Sequence, residues 1–126
     1  MRTYWEGLRR GNTDIPFADD VKLSHLGELS NNAFLIACFA HPERFRFDIV
    51  GPQIIGAYGA DLAGKFVDEI PHRPPFDDFL LQCRVTLDTR APSFYRHAPA
   101  DVPYERILLP LWGDGHIAAL LGTTKP

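Results

Sequence analysis

The chain has 126 residues, 13 basic and 16 acidic side chains, a formal charge of −3, 45% hydrophobic residues and 23% charged ones. These values lie near the globular average and exclude disordered, collagen-like and coiled-coil chains. The length suits one domain, and no basic run exceeds Arg9-Arg10, which argues against a dedicated nucleic-acid surface.

The opening Met1-Arg2-Thr3-Tyr4-Trp5-Glu6 lacks the apolar core of a signal peptide. The longest stretch free of Asp, Glu, Lys and Arg, Leu29 to Pro42, is too short to span a bilayer. Cys38 and Cys83 belong to no Cys-x-x-Cys or Cys/His spacing, so buried free thiols are expected rather than a disulfide or a metal site. A soluble cytoplasmic protein without a membrane partner is the resulting expectation.

Tyr4, Trp5 and Leu8 share one face of a short helix that Gly11 can end. Residues 12 to 20 read as a loop, and Asp20 is placed to cap a brief helix carrying Leu23, Leu26 and Leu29. The first 30 residues thus form a helical extension, and residues 31 to 126 one compact unit. Ala33 to Phe39 is an apolar run of strand length, His41-Pro42-Glu43 turns the chain, and Phe45-Arg46-Phe47-Asp48-Ile49 alternates with period two. Gly51-Pro52 breaks this strand and opens a helix with Ile54, Ile55 and Tyr58, stopped at Gly59. Asp61-Leu62-Ala63-Gly64-Lys65 is turn-rich, and Phe66 to Ile70 allows one or two helical turns.

Pro74-Pro75 starts the clearest helix, with Phe76, Phe79, Leu80, Cys83 and Leu87 at a 3.6-residue period and Asp77 and Asp78 in its first turn. A weak strand around Ser93 to His97 follows Pro92. Tyr104 to Trp112 and His116 to Gly122 then make two longer strands joined through Gly113-Asp114-Gly115. Helices grouped between two sets of strands predict an α+β domain with one antiparallel sheet.

On the last hairpin Ile107, Leu109 and Leu111 oppose Leu108, Pro110 and Trp112, and Ile117, Ala119 and Leu121 oppose Ala118 and Leu120. One face must pack on the central helices, and the other is too apolar to be left in water. The Tyr4/Trp5/Leu8 helix or a second copy of the chain is expected to cover it. Tyr4, Trp5, Leu8, Leu108, Trp112 and Leu120 are accordingly the candidate dimer or partner surface.

This order of elements resembles a PAS domain, and specific segments are similar to a bacterial subgroup whose short chains consist of little else. The segments are Tyr4-Trp5…Leu8-Arg9, Phe45-Arg46-Phe47-Asp48-Ile49-Val50-Gly51 into Tyr58-Gly59, Asp61-Leu62-Ala63-Gly64-Lys65, and Tyr104-Glu105-Arg106 leading to Leu109-Pro110-Leu111. Together they cover nearly the whole chain. Pro52 and Leu29-Ser30-Asn31-Asn32 depart from the subgroup pattern at the rim of the pocket region. The resemblance implies a five-stranded antiparallel sheet of order 2-1-5-4-3 with helices across one face. It also implies a sensory or regulatory role in signal transduction, through ligand binding, homodimerisation or contact with an effector protein, and no catalysis.

Phe47, Ile49, Tyr58, Phe66, Phe79, Cys83, Leu109 and Leu111 are expected to converge between sheet and helices, either as a packed core or as the lining of a ligand-sized cavity. Tyr58 and Tyr95 are the polar handles of such a pocket, because a buried phenol needs a hydrogen-bond partner. Gln82-Cys83-Arg84 shares letters with the flavin-binding cysteine motif, but the Asn-Cys-Arg-Phe-Leu-Gln pattern is missing and Cys83 reads as a small buried hydrophobe. The long helix offers no histidine, and His72 between Pro71 and Arg73 reads as a loop residue, so neither haem nor flavin is expected. His41 and His116 read as solvated turn residues. The acid–histidine pairs Asp114/His116 and His97/Asp101 are explained by turns and loops, and no nucleophile or phosphate-binding motif accompanies them. A small hydrolase- or dehydratase-like enzyme and a pure interaction module are the rival readings.

Overall fold

The computed structural model describes residues 2–7, 15–40, 42–97, 103–113 and 115–125. Leu8, Gly11, His41, Asp101 and Asp114, which carry expectations above, lie outside the described residues. Helix α1 spans Arg2–Gly7, α2 Pro52–Tyr58 and α3 Phe79–Thr89; strands β1 to β5 span Ala33–Ala40, Glu43–Val50, Ser93–His97, Tyr104–Gly113 and His116–Lys125. The five strands form one antiparallel sheet of order β2-β1-β5-β4-β3, the expected α+β architecture.

Both faces of the β4–β5 hairpin are covered. Phe34, Ile36, Phe45, Phe47, Leu108, Ile117 and Leu120 point to the inner face, where Ile54, Tyr58, Phe76, Phe79 and Cys83 meet them. Leu109, Leu111, Ala119 and Leu121 point to the outer face and pack with Trp5, flanked by Tyr4, Val21 and Leu23. The Trp5 indole Nε1 donates to the Pro110 carbonyl at 2.7 Å, and Tyr4 Oη both accepts from and donates to the Lys22 backbone. The chain therefore covers its own outer face over β4 and β5.

This placement inverts the expected faces. Leu109 and Leu111 lie outside the helix-side core, whereas Leu108, Leu120 and Trp112 lie within or against it. A strictly alternating strand that is apolar on both sides gives no sign of which side the helices take. Two bulges add to the difference. Between Leu35 and Ile36 the register slips so that Leu35 faces Ile49 while Ile36 faces Phe47, leaving Asp48 as the extra residue. That extra residue moves Ile49 to the outer face, where it is 45% exposed, not into the core. The slip between Leu111 and Trp112 likewise separates Ile117, on the inner face, from Ala119 and Leu121.

The motif segments have plain structural duties. An added Cβ at Gly51 would lie 2.4 Å from the Ser30 and Asn31 carbonyl oxygens, so only glycine fits between β2 and α2. Gly59 ends α2 in the left-handed conformation, as expected. Asp61 Oδ1 accepts from Ala63 N–H, and Gly64, at φ 86°, completes the turn. Gly64 N–H then donates to the Phe47 carbonyl at 2.7 Å and Phe47 N–H to the Lys65 carbonyl at 2.9 Å. This stretch is thereby fastened along the free edge of β2.

Helix α3 begins at Phe79, later than the double proline suggests. Asp78, at φ 53°, is the non-helical residue before the helix, so neither Asp77 nor Asp78 occupies a first helical turn; the Pro74–Pro75 peptide upstream is cis. Nor does Asp20 cap the next segment: a 3-10 turn over Ala18–Asp20 ends there, and Lys22 precedes the 3-10 stretch Leu23–Asn32, which kinks at Gly27.

Phe34, Phe47, Phe76 and Phe79 form the centre of the inner core, with ring centroids 4.8–6.5 Å apart. The Phe34 ring also rests on Gly122, where an added Cβ would come within 2.2 Å of it. Gly122→Ala is expected to destabilise the fold by about 1–3 kcal/mol through overpacking. Pairing it with Phe34→Leu should recover part of that loss; urea denaturation of the two variants and their combination measures both effects.

Candidate functional site

The polar groups gather at the other end of the sheet, where β3 and β4 meet the start of α3. Arg106 on β4 is 1% exposed, although arginine is seldom fully buried. Its guanidinium donates to Gln82 Oε1 at 2.5 Å, to the Pro75 carbonyl at 2.8 Å and to the Asp77 carbonyl at 2.8 Å. Its carbon lies 4.5 Å from the Tyr95 ring centroid and 4.9 Å from that of Phe79. Neutral oxygens and aromatic faces thus replace water around the cation. Burial pulls the Arg106 pKa below the ordinary arginine value.

Gln82, also buried, turns its amide nitrogen to the Ser93 carbonyl and hydroxyl at 3.3 and 3.1 Å. Thr86 continues the seam: its hydroxyl donates to the Gln82 carbonyl, and a 2.6 Å bond joins it to Ser93 Oγ. The buried side-chain polar atoms among the described residues all have partners. A satisfied seam of this kind fixes the rotation and height of α3 on the sheet.

Above Arg106 the cluster opens towards solvent. Tyr104 Oη donates to Asp77 Oδ2 at 2.7 Å and accepts from Asp77 N–H at 3.0 Å. Tyr95 Oη donates to Asp78 Oδ2 at 3.0 Å. The His97 ring stacks on Tyr104 at 4.8 Å, with Nδ1 3.9 Å from Asp77 Oδ2. Burial, and then the bond to a carboxylate, hold both phenols above the usual tyrosine range. Neither tyrosine is activated as a base or nucleophile, because its proton is the one that makes the bond to Asp77 or Asp78.

The expected pocket residues divide among four places. Phe47, Tyr58, Phe79 and Cys83 meet in the inner core; Leu109 and Leu111 lie on the outer face and Ile49 at its exposed rim. Phe66 is half-buried beside the edge of β2, under the Arg44 guanidinium at 3.7 Å and beside Phe39. Tyr95 belongs to the Arg106 cluster. Both polar handles have partners, Tyr58 through the Pro71 carbonyl at 2.7 Å and Tyr95 through Asp78. His72 Nε2 lies 3.1 Å from the Val67 carbonyl. Spacing does not single out Arg106 and Gln82 as a site; the one signal in the sequence is a charged residue that shares the parity of Leu108, Pro110 and Trp112 on an apolar strand.

No protein-family model matches the chain, and no curated protein matches it significantly. No helix among the described residues is long and apolar enough to cross a membrane.

Replacing Arg106 leaves three acceptors without their donor. Arg106→Met is therefore expected to lose on the order of 3 kcal/mol in urea denaturation, and Arg106→Lys most of the same amount, since one ammonium cannot reproduce the planar fork. The thiols give a chemical check on the packing around α3 and β1. Burial, with a smaller contribution from Glu43, pushes the Cys38 thiol up to about 12, and burial holds Cys83 well above the ordinary range. At pH 8 iodoacetamide is expected to alkylate both about a thousandfold or more slowly than an unfolded control. Mass spectrometry after a timed pulse reads the difference.

Proposed function

We propose that the chain is a cytoplasmic single-domain sensory or regulatory protein of the PAS type, acting by contact with another protein chain. The observation that carries this reading is the 2-1-5-4-3 antiparallel sheet whose helices between β2 and β3, α2 and α3, pack on one face, while Gly64 to Phe66 run along the β2 edge. Phe45-Arg46-Phe47 through Gly51, and Asp61 through Lys65, provide the strand, its exit and the cover of its edge in that arrangement. These residues serve the scaffold, so they speak for the fold type and leave the signal to the surface.

The filled inner face favours a protein partner over a ligand held between sheet and helices. Four phenylalanine rings occupy that space, with Tyr58 and Cys83 packed round them. Among the described residues, the Asp77–His97 contact is the one feature that an enzyme reading would use. Asp77 Oδ2 already accepts the Tyr104 hydroxyl at 2.7 Å, which makes the carboxylate a brace between β4 and the start of α3.

Deletion of the gene, followed by parallel transcript and metabolite profiling, tests the reading. A changed set of transcripts, restored by the wild-type chain and by its Asp77→Asn variant, is the expected result. Accumulation of one metabolite that the purified protein consumes, with turnover lost in Asp77→Asn or His97→Gln, would overturn it.

A further inference from the structure

The two edges of the sheet are treated differently. The β2 edge is covered by the chain itself: Phe47 exchanges backbone hydrogen bonds with Gly64 and Lys65, and Arg46 bridges to Phe66. It also carries the bulge at Asp48 and the charges of Arg44, Arg46 and Asp48. These are the usual means of keeping an edge from pairing with another chain. Strand β3, Ser93–His97, ends the sheet on the other side, and among the described residues no segment pairs with its outer edge. It contains neither a proline nor a bulge.

Apolar surface collects beside that edge. Phe94 is 66% exposed, and on α3, which runs alongside, Leu81 is 64% and Val85 43% exposed. A groove of about 460 Å³ borders Phe94 and Arg96 on the outer face, and another of about 320 Å³ lies between β3 and the Leu81/Val85 side of α3. Both share Phe94 and Tyr95, so the strand is a ridge between two apolar grooves.

We propose that β3 pairs antiparallel with β3 of a second copy of this chain, joining two five-stranded sheets into one continuous sheet about a two-fold axis at Tyr95. The register follows from the side chains. Sheet continuity requires outer-face residues to oppose outer-face residues, which leaves three choices: Phe94 on Phe94, Phe94 on Arg96, or Arg96 on Arg96. The last sets like charges opposite each other. The first shortens the pairing and draws Pro92, which has no N–H, into the ladder. Pairing Phe94 with Arg96 of the other copy uses the whole strand and places a guanidinium against an aromatic ring twice.

The surroundings fit that register. Arg96 has a 77% exposed side chain, whose guanidinium donates to Glu105 Oε1 at 2.6 Å. Leu81 and Val85, one turn apart on α3, approach the same residues of the other copy on the inner side of the joint. The Ser93 carbonyl, which accepts from Gln82 at 3.3 Å, keeps a second lone pair for the ladder. The contact is isologous, so it closes at two copies and covers the open edge of both. It is independent of the family reading, since it uses no residue of the segments that carry the resemblance except the Glu105 that holds Arg96.

Sedimentation equilibrium of the full chain tests the association, and cysteine pairing tests the register. The wild type is expected to form a dimer, and Phe94→Lys to weaken it at least tenfold, with an unchanged circular-dichroism spectrum. Mixed Phe94→Cys and Arg96→Cys chains are expected to form the disulfide between the two variants in preference to either homodisulfide; Cys38 and Cys83 do not compete because both are packed against the inner core. A wild-type chain that stays monomeric at several hundred micromolar overturns the proposal. So does a dimer untouched by Phe94→Lys, or a preference for either homodisulfide.

Discussion

The architecture depends on a β4–β5 hairpin that is apolar on both sides. Leu108, Ile117 and Leu120 turn one way, and Leu109, Leu111, Ala119 and Leu121 the other. At about 25 cal/mol per Å² neither set can be left in water, so the hairpin must lie at the centre of a three-layer arrangement. The central strand positions of the 2-1-5-4-3 order follow, because β5 and β4 need neighbours on both edges as well as cover on both faces. The segment between β2 and β3 supplies the inner layer. Trp5, anchored through Pro110, and the stretch around Val21 and Leu23 supply the outer one.

Cover from within the chain changes what the outer face can do. With Trp5 4% exposed against Leu109 and Leu111, a second copy is not required there. Exposed apolar residues remain elsewhere: Leu29 before β1, Phe39 and Ile49 on β1 and β2, and Leu81, Val85 and Phe94 at and beside β3. Association through a strand edge and association through a sheet face use different groups. A face contact relies on side-chain area, whereas an edge contact adds backbone hydrogen bonds and so depends less on how much apolar surface remains.

Much of this was legible in the sequence. Period-two alternation located β2, and glycine and proline located the exit into α2 and the end of that helix. Period and composition do not encode parity when both faces are apolar, which is why Leu109 and Leu111 exchange places with Leu108 and Leu120. Bulges are invisible for a related reason: an extra residue such as Asp48 looks like an ordinary outward polar position until its partner strand is known. The late start of α3 has a different origin. Asp77 and Asp78 look like helix-initiating acids, yet their carboxylates accept from Tyr104 and Tyr95, residues 27 and 17 positions away. Long-range pairing overrides a local preference worth a fraction of a kcal/mol.

Arg106 shows how the polar seam and the apolar layers depend on each other. A buried guanidinium has a large desolvation cost, so it persists only where oxygens and ring faces surround it. The turn at Pro74–Pro75 and the non-helical Asp78 present the Pro75 and Asp77 carbonyls to it, and α3 then presents Gln82 from one turn further on. A regular helix begun at Pro75 would have used its early carbonyls for its own hydrogen bonds. The irregular approach to α3 is therefore what allows a charge to sit beneath β3, and the same irregularity brings Asp77 and Asp78 to Tyr104 and Tyr95. Helix α3 is thereby locked in rotation, and that lock decides which of its residues remain outside. Gln82, Cys83 and Thr86 face inward, so Leu81 and Val85 are the pair turned toward solvent beside the open strand.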